Sequence, residues 1–219
     1  MSSQPSFRLR NQLIVVGLLL GCTASGGCTQ ALLTGAYLVK GVERPAEFKE
    51  LKGKKVAVVC KPIQELQFST SSSSERISDN VAVLLKSKLK KTELVGTQKI
   101  QSWVDEHEWE EFSEIGKAMK SDYVVGIEIE DFKLYQGQTI YQGRARVSVK
   151  VCDMAKGGEV VYKKDIPEIV YPPQGGVPTS EKREEDFKRQ FIGVVSEQVG
   201  RLFYGYDYRR DVAIDSTTL

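Results

Sequence analysis

The stretch Arg144-Ala145-Arg146-Val147-Ser148-Val149-Lys150-Val151-Cys152 alternates without a break. Ala145, Val147, Val149 and Val151 fall on one side, and Arg144, Arg146, Ser148, Lys150 and Cys152 on the other. A period of two belongs to a β-strand with one face against a core and the other in water. Upstream, Tyr123–Phe132 starts as a continuous apolar run and turns alternating where Ile127 and Ile129 face Glu128 and Glu130. Downstream, Lys156-Gly157-Gly158 supplies a turn and Glu159–Ile166 a third strand.

Further out the period changes. Val56–Cys60, bounded by Gly53 and Pro62, reads as a buried strand. Residues 67–74 (QFSTSSSS) read as a loop, because serine hydroxyls compete for backbone hydrogen bonds. Ile77, Val81, Leu84, Leu85 and Leu89 mark one face of a helix over 77–91. Glu93–Val95 is a short strand. Gln98–Glu106 is a helix with Ile100, Trp103 and Val104 inward, and Phe112–Met119 a shorter one. The last helix runs over 180–204, with Phe187, Phe191, Val194, Val195, Gln198 and Leu202 as its inner stripe and Gly205 as its stop. The order β-α-β-α-α-β-β-β-α predicts an α+β fold, one mixed sheet with helices mainly on one face.

The 219 residues are 41% apolar and 27% charged, enough for a packed core. A formal net charge of +2 argues against a nucleic-acid partner. The single histidine, His107, excludes sites built on several imidazoles and leaves no ordinary Ser-His-Asp triad.

The N-terminus reads as an address. Arg8 and Arg10 precede a short apolar run, Leu13–Leu20, far below the roughly 20 residues a membrane-spanning helix needs and within the range of a signal-peptide core. Leu19-Leu20-Gly21-Cys22 follows directly. It resembles the lipobox of bacterial lipoproteins, in which a small residue precedes the cysteine whose thiol takes the lipid; Leu20 is bulkier than usual there. The resemblance implies cleavage between Gly21 and Cys22 and lipidation of Cys22, with Cys28 as the alternative acceptor. Segments then follow: 1–21 signal peptide, 22–44 lipidated tether, 45–205 globular domain, 206–219 flexible tail. Arg8 and Arg10 are the only charges before Cys22, so removing the leader takes the 31 basic residues to 29, equal to the 29 acidic ones.

Gly53-Lys-Lys-Val-Ala-Val-Val59, followed by a helix, a short strand, a helix and Ile115-Gly-Lys-Ala-Met-Lys-Ser-Asp-Tyr-Val-Val-Gly126, is similar to a superfamily of envelope lipoproteins. It includes the LpoB-type activators of penicillin-binding proteins, the curli-secretion lipoprotein CsgG and the amino-terminal domain of TolB. The resemblance covers roughly residues 50–205 and implies a non-enzymatic protein, membrane-held through its lipid, facing the periplasm and binding another envelope protein. Thr23 after Cys22, in place of Asp, points to the outer membrane by the enterobacterial sorting rule. The alternative is an oligomeric secretion channel of the CsgG type. That requires two long amphipathic hairpins, whereas Arg144, Arg146 and Lys150 are costly on a lipid-facing strand.

No catalytic residue, metal ligand, cofactor or small-molecule substrate is assigned. Cys60, beside Lys61, is a core cysteine or a nucleophile. Cys60 and Cys152 are disulfide candidates in an oxidising compartment. Glu128 and Glu130 read as a solvated strand face pairing with Arg144 and Arg146, and His107 as an exposed helix-end residue. The aromatic–basic tail Tyr204, Tyr206, Tyr208, Arg209 and Arg210 is the candidate partner contact, since Tyr and Arg are enriched at interfaces.

Overall fold

The computed structural model describes residues 43–62 and 67–207. The chain divides into two compact units, and the described residues of the smaller are Glu43 and Asp207 alone. The fold is that of the larger, Arg44–Tyr206. Cys22, Cys28, Tyr208, Arg209 and Arg210, and the leader, most of the tether and most of the tail, lie outside the described residues.

The strands are β1 (Glu43–Arg44), β2 (Lys55–Pro62), β3 (Glu93–Leu94), β4 (Tyr123–Gln136), β5 (Ile140–Asp153), β6 (Glu159–Tyr171), β7 (Val177–Pro178) and β8 (Tyr206–Asp207). The helices are α1 (Gln67–Lys88), α2 (Thr97–Glu106), α3 (Phe112–Met119) and α4 (Glu184–Gly200). The main sheet runs β3-β2-β4-β5-β6, with β7 pairing the start of β5; β1 and β8 pair with each other. Strand β2 is parallel to both β3 and β4, while β5 is antiparallel to both β4 and β6. The architecture is α+β on a mixed sheet.

One sheet face packs under α1 and α4. There Val56, Val58, Val125, Ile127, Val147 and Val149 meet Ile77, Val81 and Leu85 of α1 and Phe187, Phe191 and Val195 of α4. The opposite face packs under α2 and α3, where Ala57, Val59, Val124 and Cys152 meet Ile100, Phe112, Ile115 and Met119. Helices therefore cover both faces, which corrects the expected one-sided cover. The physical reason lies in β2 and β4. Their fully apolar starts carry side chains on both faces, and each face requires a lid.

Two local readings also change. Residues 67–74 form the first two turns of α1 rather than a loop. Ser73 and Ser74 are buried there, and their small side chains allow the helix a close approach to the sheet. Cys152, expected on the solvated face, is 3% exposed because α3 covers that end of β5. The alternation of β4 breaks at an extra residue between Ile129 and Asp131. This bulge turns Phe132 onto the same face as Ile129, where its ring lies 5.1 Å from that of Phe191.

Gly143 of β5 lies against Phe191. A Cβ there would fall 2.5 Å from Cγ of that ring, which is fully buried. Gly143→Ala is therefore expected to lower the unfolding free energy by about 1–3 kcal/mol, as overpacking does. Urea titration of the variant against the parent chain measures it, and an unchanged midpoint would refute the packing.

Candidate interaction site

The parallel strands give the larger unit two distinct ends. At the C-terminal end of β2, Lys61 points to the α2–α3 connection. Its Nζ donates to the carbonyl oxygens of Trp109 at 3.1 Å and Glu110 at 3.4 Å and lies 4.2 Å from the centre of the Trp109 ring. One strand-borne cation thus holds a loop by two hydrogen bonds and a cation–π contact. Trp109 also packs on Phe112, with ring centres 5.7 Å apart.

On the other side of the loop, His107 follows the last turn of α2. Its ring stacks on Trp103, centres 4.6 Å apart and planes within 9°, and its Nδ1 donates to the Trp103 carbonyl at 2.9 Å. His107 is exposed, and both tryptophans are half-buried. They are the only two tryptophans in the chain. Around them stand Asp105, Glu106, Glu108, Glu110 and Glu111, all exposed.

Part of this acidity serves α3. Its first turn carries a capping box: the Glu111 carboxylate accepts from the backbone N–H three residues on, at Glu114, and the Glu114 carboxylate accepts from Glu111 N–H at 2.9 Å and Glu110 N–H at 3.0 Å. Those hydrogen bonds hold the Glu114 carboxyl below its usual range.

Beside the loop, a cleft of about 330 Å³ separates α1 from α2, lined by Glu75 and Asp79 and by Thr97, Gln98, Gln101, Ser102 and Asp105. The connections leaving β2 and β3 pass to opposite sheet faces, so this cleft opens at a topological switch point, where α/β sheets commonly place ligands. Its walls are polar and acidic, suited to a cationic or strongly hydrogen-bonding group.

The residues singled out from the sequence fall elsewhere. Tyr204 is 5% exposed and belongs to the α1–α4 core, so its ring is occupied in packing rather than offered to a partner. Tyr206 is half-buried, with the Arg201 guanidinium 4.8 Å from its ring centre. Glu128 pairs with Lys150 at 2.9 Å, and Arg144 with Glu168 at 3.3 Å. The expected pairing of Glu128 and Glu130 with Arg144 and Arg146 is corrected: register sets Glu128 opposite Ser148, and the bulge sets Arg146 opposite Asp131.

Cys60 and Cys152 are free thiols. Cys60 packs toward α1 and α4, Cys152 toward α2 and α3, so the sheet itself stands between them. Burial pushes the Cys60 thiol well above its ordinary range, and a hydrogen bond with Ser74 offsets little of that. Burial also raises Cys152, with Lys150 opposing. Among the described residues no group of three or more His, Cys, Asp or Glu is arranged to hold a metal ion.

The Lys61–Trp109 clamp and the acidic cleft were not singled out from the sequence. The available signal was the density of carboxylates between Trp103 and Phe112, with both tryptophans inside or beside it.

No known protein-family model matches the chain, and no curated protein matches it. Among solved structures it is similar to the PelC dodecamer from Paraburkholderia phytofirmans, at 12% identity over 75% of this chain and 98% of that one, with a TM-score of 0.45. It is similar to lipoprotein GNA1162 from Neisseria meningitidis, at 8% identity over 65% and 96% of the two chains, with a TM-score of 0.39. It is also similar to a minor lipoprotein from Acinetobacter baumannii, at 12% identity over 68% and 90%, with a TM-score of 0.32. All three TM-scores lie below 0.5.

Lys61→Met keeps the aliphatic stem and removes the clamp. Its tryptophan emission is expected to shift to the red and to become more accessible to acrylamide, with little change in Tm; an unaltered spectrum would refute the clamp. Glu114 has a depressed folded pKa, so its contribution to stability is present above the ordinary carboxylate range and is lost as pH falls through the folded value. Glu114→Gln is therefore expected to destabilise the protein at pH 7. That difference should shrink as the medium is acidified below the ordinary carboxylate range, as thermal melts at a series of pH values will show.

Proposed function

We propose that this protein is a lipid-anchored, non-catalytic component of the bacterial cell envelope, facing the periplasm, whose globular domain binds another envelope protein as an accessory or assembly factor. The observation that carries the reading is the Leu19-Leu20-Gly21-Cys22 sequence behind a short apolar run, which supplies a lipid acceptor. Two or more acyl chains make such an anchor stable. The likeness to LpoB-type and CsgG-type lipoproteins supports the same reading. No described helix is long and apolar enough to cross a membrane.

The surface best suited to the partner is the acidic end, with Trp103, His107 and Trp109 among carboxylates. Tryptophan is enriched among residues that dominate binding energy, and a ring already held by Lys61 loses little freedom on association.

Two measurements on the protein in its native host test the proposal. Mass analysis of the mature N-terminus is expected to find an acylated Cys22; an intact Met1 with free Cys22 and Cys28 would overturn the anchor. A photo-crosslinker at position 106 or 108 is expected to capture one specific envelope protein, and capture should fall at least about tenfold when Trp109 is replaced by Ala. A crosslink pattern indifferent to Trp109 would reject this surface.

A further inference from the structure

The end of the domain opposite the acidic loop is built from the segments that precede the three parallel strands. Backbone and side-chain bonds stitch them together. Glu93 N–H donates to Lys54 O at 3.0 Å, Thr92 Oγ1 to Leu51 O at 3.0 Å, and Asp122 N–H to Lys55 O at 2.7 Å. Lys55 Nζ donates to Met119 O at 3.1 Å.

This joining gathers lysines that are far apart in sequence. Lys52 and Lys54 precede β2, Lys86 lies in the last turn of α1 with Lys90 and Lys91 just after it, and Lys120 follows α3. All six are exposed, and among the described residues none forms an ion pair. The carboxylates nearby are Glu50, Glu93, Asp122, Asp153 and Glu159, still fewer than the lysines; Asp122 accepts from the Lys55 N–H at 2.7 Å and Asp153 from the Ala155 N–H at 3.0 Å.

The chain enters the domain at this same end. Phe48 N–H donates to Leu202 O at 3.0 Å, and Leu51 lies against Thr92. Lys88, at the end of α1, lies 5.7 Å from the centre of the Tyr204 ring. The stretch from Cys22 to Arg44 reaches at most roughly 75 Å when extended, so a lipid on Cys22 does not by itself fix which surface meets the bilayer.

We infer that the lysine end is a docking surface for an anionic phospholipid membrane, seating the domain so that the Trp103–Glu111 end faces away from the bilayer. Three observations converge on this occupant: a lysine-rich patch without ion pairs, the entry of the tethering segment beside it, and carboxylates gathered at the opposite end, which an anionic surface repels. Each lysine near such a surface contributes on the order of fivefold in affinity, and the attraction falls off over about 10 Å at 0.1 M salt. The inference rests on the membrane-tethered reading.

The test uses the chain from residue 22 onward with Cys22→Ser and Cys28→Ser, so that neither an acyl chain nor the basic, apolar leader contributes. Binding is measured to vesicles of phosphatidylcholine alone and of phosphatidylcholine with 30% phosphatidylglycerol. The parent is expected to prefer the anionic vesicles, and 0.5 M NaCl to abolish the preference. Lys52, Lys54, Lys86 and Lys90 all replaced by Gln should cost at least about thirtyfold of it, with an unchanged circular dichroism spectrum. A control with Glu106→Gln and Glu108→Gln should retain the preference.

Both tryptophans lie at the far end, so doxyl-labelled lipid is expected to leave their emission unquenched. A parent without anionic preference, a lysine variant that keeps it, or quenched tryptophans would each overturn the inference. An unlipidated mature N-terminus would remove the tether instead, and the vesicle result would still decide the patch.

Discussion

The pairing of β2 with β4 is the constraint on which the rest of the molecule depends. Seven residue pairs, from Val56–Tyr123 to Pro62–Ile129, run in parallel at the centre of the sheet. Parallel neighbours need a long crossover, because the chain must return to its starting end before it can pair again. Here the return carries α1, β3, α2 and α3. Both strands bury side chains on both faces, so α1 and α4 close one side and α2 and α3 the other. The fit is close where the outer layer meets the sheet: a Cβ on Gly126 would fall 2.4 Å from the Phe112 ring. With both faces covered there, the strand ends hold the connecting segments. The lysine end and the acidic end are consequences of that geometry.

Much of the fold was legible because its signals are local. The alternation of Arg144–Cys152, the apolar run of Val56–Cys60 and the four-residue spacing of Ile77, Val81 and Leu85 each report an environment repeated along one element. What escaped depends on which element arrives from elsewhere. Nothing in Cys152 or its neighbours announces that α3 covers that end of β5. The serines of α1 are poor helix formers by themselves, and contact with the sheet overrides that preference. A bulge leaves no periodic mark beyond a phase change, which the apolar Phe132 at the end of an alternating run hides.

The candidate site was less legible, for a related reason. Lys61 and Trp109 are joined by tertiary structure, and Lys61 in sequence is merely the residue after Cys60. Net charge was likewise uninformative in the way that matters. Near-neutrality of the whole chain conceals a separation of charge along the parallel strands, with lysines before them and carboxylates after β2. Each helix return carries one group back toward the other end, so residues mixed in sequence are sorted in space.

That sorting bears directly on how a tethered domain presents itself. β2 spans roughly 25 Å at the usual rise per residue, more than twice the screening length at 0.1 M salt. An anionic surface touching one end therefore acts almost wholly on the lysines and hardly on the carboxylates, so even a chain of zero net charge is drawn to it and turned to face it by that end. A tether holds the domain near the surface but leaves it free to rotate; charge separation removes that freedom. The clamp of Lys61 on Trp109 then matters for the opposite end, because a loop already ordered when it faces outward spends little of its binding energy on being fixed. In the proposed arrangement, anchor, polarity and clamp each remove a different kind of motion, and none substitutes for another.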